Sequence, residues 1–213
     1  MFEDEHLLVF NKPAGLLCVP GRGPEKQDCL STRVQSFWPE ALVVHRLDMA
    51  TSGLVIMARS KEVQRSLSDS FASRTVEKLY AAIVAKDVQV LAERQWHKVD
   101  APIMSDWERR PLQKVDFASG KPSLSLYRRH EDQTGVPSGC TKIWLRPVTG
   151  RTHQLRLHMS HIGHPILGDE LYAPPSLASG SHRLMLHATE LRFVHPILMH
   201  EILVNTPPQF DAA

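Results

Sequence analysis

Positions 45–53 read HRLDMATSG: a histidine, an arginine, a carboxylate and two hydroxyls between the apolar runs ALVV and LVIMA. Two readings fit Asp48. Asp followed by Thr, Ser and Gly is ordinary turn chemistry, because such side chains bond their own backbone. A carboxylate fixed at the mouth of a buried strand can also attack an electrophilic carbon or stabilise a developing positive charge. The second chemically loaded stretch is TGRTHQLRLHMSHIGHPILGD, residues 149–169. Leu155, Met159 and Ile162 fall at i, i+4 and i+7, with Arg151 one turn before Leu155, so a helix is predicted with Arg151 at its start. Leu155, Leu157 and Met159 also alternate as a strand would. In the helical reading Gly150 frees the entry turn and Gly163 supplies the C-terminal stop. The third is Tyr80 in EKLYAAIVA, a tyrosine that strand propensity alone would place in a core.

His153, His158, His161 and His164 invite a metal reading. Zinc histidines on a helix stand four apart with an acidic partner, whereas these are five, three and three apart with no acid between them, so no metal site is assigned.

These groups need a scaffold. Strands are predicted at 5–10, 77–85, 141–148 and in the tail, where LMLHATELRFVHP and HEILVNTPPQF alternate and Pro207–Pro208 ends the last one. LLCVPGRGP reads as a restarted strand ending in a Gly/Pro turn. Val63, Leu67 and Phe71 recur at i, i+4 and i+8 behind Ser60, which predicts a capped helix over 60–73. Residues 95–123 read as long loops with short strand pieces. Within them Arg109, Arg110 and Lys114, beside Trp107, form either a basic patch for nucleic acid or a solvated charged loop. No repeat or linker interrupts the pattern, so the expectation over 1–213 is one α+β domain, a mixed, largely antiparallel sheet with flanking helices and loops.

Composition narrows the classes. The 213 residues carry 25 Lys+Arg against 23 Asp+Glu, a formal charge of +2, too balanced for a strong whole-molecule field toward nucleic acid or membrane. Any nucleic-acid site must be local. No apolar run reaches the roughly 18 residues of a membrane helix, and the acidic MFEDEH is unlike a secretion signal, so a cytoplasmic protein is expected. Cys18, Cys29 and Cys140 are odd in number and widely spaced, fitting reduced structural thiols.

Taken in order, NKPAGLLCVPGRG, HRLDMATSGLVIMARS, KLY at 78–80, GRTHQLRLHMSHIGHPILGDELY and LHATELRFVHP resemble the RluA family of RNA pseudouridine synthases over nearly the whole chain. Only ten residues precede NKPAG, so the separate S4-like RNA-binding domain of many relatives is expected to be absent. Met49-Ala50 further resembles the RluA subgroup, which acts on both ribosomal RNA and tRNA stem-loops. The resemblance implies a pseudouridine synthase catalytic fold with a central active-site cleft, a cofactor-free isomerisation and an RNA partner; a monomer is the default expectation for a self-contained domain. By the same resemblance Asp48 is the catalytic aspartate, Arg151 the arginine that pairs with it, Tyr80 the active-site tyrosine and Leu155 an apolar wall of the pocket. His45 and Arg46 are expected to contact substrate, Arg46 by filling the space of a flipped base or holding flanking phosphates. A non-catalytic RNA-binding protein and a histidine-rich metal hydrolase are the alternatives from other classes.

Overall fold

The computed structural model describes residues 2–88, 95–208 and 210. In chain order the strands and helices are β1 (Phe2–Glu3), β2 (Leu7–Lys12), α1 (Leu30–Gln35), β3 (Leu42–Val43), β4 (Ser52–Ala58), α2 (Lys61–Ala72), β5 (Glu77–Ala85), β6 (His97–Asp100), β7 (Ile103–Ser105), β8 (Gln113–Val115), β9 (Leu124–Arg129), β10 (Cys140–Pro147), α3 (Gln154–His161), α4 (Pro175–Ala178), β11 (Leu186–Val194) and β12 (Glu201–Asn205). They form two compact units, one of residues 1–78 and 188–208, the other chiefly of residues 79–187.

In the first unit, β2 pairs antiparallel with β4 and sets Lys12 opposite Gly53; β3 lies on β4, and β12 on β11. Every residue of β4 is buried. Such a strand reads as an unbroken apolar run, as LVIMA does. Ser60 caps α2 as its type and position predict, accepting the Val63 N–H at 3.2 Å. Val63 and Leu67 then join Leu7, Val9, Leu54 and Ile56 in the core, with Phe71 packed on its margin. Gly53 is indispensable to this packing. Its φ is +115°, and a Cβ there would lie 2.3 Å from the Ala188 carbonyl oxygen.

In the second unit β10 pairs with β5 on one side and β9 on the other, and β9 pairs with β6. The strict alternation of TKIWLRP puts Thr141, Ile143 and Leu145 inside and Lys142, Trp144 and Arg146 outward. β7 and β8 form a small hairpin. Strands 77–85, 140–147 and the two in the tail match the sequence reading closely. LLCVPGRGP does not form a strand: Leu17 makes a single bridge to Cys29, and Pro24–Lys26 closes a 3-10 turn. ALVV contributes only the two-residue β3.

Candidate active site

The 45–53 segment lies in the first unit. The Thr51 N–H donates to the Asp48 carbonyl at 3.1 Å, so a tight turn delivers the chain into β4. Asp48 is half-buried and Arg46 exposed. The residues on both sides of Asp48 are held by the end of β2 and the segment that follows it. Leu47 donates its N–H to Cys18 Sγ at 3.2 Å, and burial pushes the Cys18 thiol up, which keeps the sulfur protonated. The Met49 carbonyl accepts from the Gly15 N–H at 2.9 Å and from Lys12 Nζ at 3.1 Å. Lys12 is fully buried and its ammonium also donates to the carbonyls of Leu16 at 2.7 Å and Pro13 at 2.9 Å. The mount for the carboxylate is therefore a buried cation and a thiol that grip its backbone neighbours.

Lys12 and Cys18 were missed as contributors because a lysine at a strand end reads as solvated. Their only sequence signal was their place in NKPAGLLC. Lys12→Met is expected to lower the unfolding free energy by about 2–3 kcal/mol, since three carbonyls, that of Leu16 buried, lose a charged donor. Urea unfolding followed by far-UV circular dichroism measures it.

His45, expected at the substrate, is engaged by the protein itself. Its Nε2 accepts the Ile56 N–H at 3.0 Å, and its ring stacks on Phe71 with centroids 4.3 Å apart. Burial first, and then the charge of Lys78, push its pKa down to about 3. His158 in the second unit is also pushed down by burial. An unfolded histidine titrates near 6.5, so between about pH 6.5 and 3 the unfolded chain takes up a proton that folded His45 refuses. The stability His45 contributes is complete above pH 6.5 and declines as the pH falls, at up to about 1.4 kcal/mol per pH unit. Urea midpoints at pH 7.5, 6.5 and 5.5 are expected to drop along that slope, and His45→Gln to flatten it.

The second unit carries the remaining candidates. Tyr80 stands half-buried in β5 opposite Leu145 of β10. Arg151 is exposed, and it lies outside α3, which begins at Gln154. Gln154 explains the late start. Its Oε1 accepts the Arg151 N–H at 3.0 Å and the Thr149 hydroxyl at 2.7 Å, while its Nε2 donates to Leu124 O at 3.0 Å and Ser125 Oγ at 2.9 Å. The left-handed residue of the entry turn is His153, at φ +55°, and not Gly150. Gly163 does take a positive φ of 84° just after the helix, where the sequence placed the stop. Leu155 is buried on α3.

The β7–β8 hairpin separates the three basic candidates by their partners. Arg109 is tied by Nε and Nη2 to the buried Asp106 at 2.8 and 2.7 Å. Lys114 reaches Asp116 at 4.0 Å. Arg110 lies over the Trp107 ring, 3.6 Å from its centroid, and Trp107 is 68% exposed. Such a pair offers a π face and a cation together, the equipment that stacks an unpaired base beside its phosphate.

The histidines of 153–164 have separate engagements. His158 Nε2 meets the Ala101 carbonyl at 2.9 Å, which makes that nitrogen the protonated one; Nδ1 then accepts from Ser125 Oγ at 2.9 Å. His164 Nδ1 donates to Ala85 O at 3.1 Å, and His161 faces the Phe117 ring. Among the described residues no three His, Cys, Asp or Glu side chains cluster as a metal-binding group. Nor is any helix among them long and apolar enough to cross a membrane.

Comparison with known proteins agrees with this architecture. A family model described as RNA pseudouridylate synthase matches residues 6–161. The chain is 47% identical to the dual-specificity RNA pseudouridine synthase RluA of Vibrio parahaemolyticus, over 92% of this chain and 77% of that protein. It is 45% identical to the protein of that name from Pasteurella multocida, over 97% and 91%, and 40% identical to that of Escherichia coli K12, over 99% and 93%. Among solved structures, human RNA Pseudouridylate Synthase Domain Containing 1 superposes with a TM-score of 0.78 at 30% identity, covering 98% of this chain and 82% of that one.

Proposed function

Because the chain belongs to the RNA pseudouridylate synthase family, an α+β family of RNA-modifying isomerases, we propose that its substrates are a stem-loop of large-subunit ribosomal RNA and the anticodon stem-loop of tRNA. The observation that carries the reading is 40–47% identity to several RluA enzymes named dual-specificity, across nearly the whole chain.

The reaction breaks the bond from ribose C1′ to uracil N1, turns the base, and joins C1′ to uracil C5. The proton on C5 is lost and N1 gains one, so composition is unchanged and no redox partner is required. The target uridine is flipped out of its loop at a cost of a few kcal/mol. Asp48 then attacks C1′ or promotes elimination from the ribose, and holds the sugar while the base rotates. The clamp on Leu47 and Met49 supports this role, since it fixes the backbone on either side of the carboxylate. Tyr80 stacks on the uracil or moves a proton, Arg151 supplies a guanidinium for the charge that develops, and Leu155 gives the pocket an apolar wall. Arg46 contacts the distorted RNA backbone. His45 acts through Ile56 and Phe71, as a positioning residue behind this turn. Arg110 with Trp107 reads an unstacked base of the loop; Arg109 and Lys114 add positive charge beside them. The enzyme works as a cytoplasmic monomer and without a cofactor.

Tritium release from RNA labelled at uracil C5 tests the proposal, because each turnover discards one C5 hydrogen. Release is expected from both the ribosomal and the tRNA stem-loop, unchanged by chelator. Release from neither RNA overturns the proposal, and release from one alone overturns the dual specificity.

A further inference from the structure

The turn that carries Arg151 and the hairpin that carries Arg110 and Trp107 are joined through one hydroxyl. Tyr172 Oη accepts the N–H of Gln113, the first residue of β8, at 2.9 Å. The same hydroxyl shares a hydrogen bond with His153 Nδ1, 2.8 Å away. His153 is the N-cap of α3, two residues after Arg151, yet its side chain does not cap the helix. The residue holds a left-handed conformation at φ +55°, which costs free energy in anything but glycine and persists only where its surroundings impose it.

Tyr172 is itself rigid. Its carbonyl accepts from Ser160 Oγ at 2.8 Å and its N–H donates to Asp169 Oδ1 at 3.2 Å. Its ring lies 5.4 Å from the guanidinium of Arg156, which is paired with that same Asp169. The other strand of the hairpin is fastened to the same helix, because His158 donates to the carbonyl of Ala101, just before β7. Both roots of the hairpin are thus bonded to groups fixed on α3, and the Tyr172 hydroxyl continues the connection into the Arg151 turn.

Resting on the RNA substrate proposed above, we propose that Tyr172 is a positioning residue that couples RNA held by the β7–β8 hairpin to the turn bearing Arg151. RNA seated on the hairpin stiffens β8, β8 fixes the Tyr172 hydroxyl, and the hydroxyl holds His153 and the turn before it. The arginine is then set when RNA is aboard.

Tyr172→Phe removes the hydroxyl and keeps the ring over Arg156. Amide hydrogen exchange, with a tRNA anticodon stem-loop as the probe, reads the coupling without turnover. In the wild-type protein RNA is expected to slow exchange at residues 151–154 by about tenfold, and in Tyr172→Phe by less than about twofold at the same RNA occupancy. In turnover the variant is expected to lose about tenfold in kcat with KM unchanged, as a misplaced group does. His153→Asn, which tolerates the left-handed backbone, is expected to reproduce both effects, and the double variant to add nothing further. Equal RNA-dependent protection in wild type and Tyr172→Phe overturns the coupling, as does a lowered melting temperature with kcat unchanged. If wild type releases no tritium but shows the protection difference, the reaction assignment fails and the coupling stands.

Discussion

Asp48→Asn is expected to bring tritium release down by a factor on the order of 10⁴ or more, the scale on which removal of a nucleophile acts, while RNA affinity changes by less than about twofold. The substitution is nearly isosteric. The turn that presents the side chain is closed by main-chain groups, Thr51 N–H to Asp48 O, and the clamps on Leu47 and Met49 also grip main-chain groups. Structure and RNA contacts should survive, so the loss isolates the chemistry. An amide neither attacks C1′ nor balances positive charge on the ribose. Single-turnover release, alongside filter binding of the stem-loop, measures the two quantities separately. Release from Asp48→Asn at even a hundredth of the wild-type rate would remove the aspartate from the mechanism.

The largest stability effect is expected at Arg156. Its Nε and Nη2 donate to the two carboxylate oxygens of Asp169 at 2.9 and 2.7 Å, and both side chains are buried. Asp169 Oδ1 also accepts the N–H groups of Leu171 and Tyr172. Arg156→Leu would leave a fully buried carboxylate with those two donors, and breaking a buried pair from one side costs about 3–5 kcal/mol. Urea unfolding should show that loss, and Arg156→Leu/Asp169→Leu should recover part of it, because the stranded charge is gone. A loss below 1 kcal/mol, roughly the worth of an exposed pair, would mean the site is wet.

Some of this was legible in the sequence and some was not, for identifiable reasons. The α2 boundaries followed from Ser60 and the spacing of Val63, Leu67 and Phe71, since cap and amphipathic stripe are both local signals. Strands β11 and β12 followed from apolar alternation, and β5 from the apolar run of EKLYAAIVA. The start of α3 did not. Its periodicity ran back to Arg151, but Gln154 turns its side chain to the Arg151 N–H and the Thr149 hydroxyl, and no pattern of hydrophobicity records a glutamine that folds back on its own chain. Lys12 was invisible for a related reason: the groups it grips beside Asp48 are main-chain carbonyls, which every residue has. In the basic hairpin the charges could be counted in advance. That Arg109 is spoken for by Asp106 while Arg110 lies on Trp107 could not, because pairing depends on which way the hairpin turns its side chains.

Gly53 sets a limit on how this chain can vary. With φ at +115° and the Ala188 backbone where a β-carbon would go, the position is closed twice over, once by torsion and once by space. A library with this codon fully randomised and selected for folded protein should return glycine almost alone, whereas Met49, exposed four residues earlier, should accept many residue types. The boundary between freedom and prohibition thus falls inside a single nine-residue segment, at the passage from the loop that presents a reacting group to the strand that anchors it.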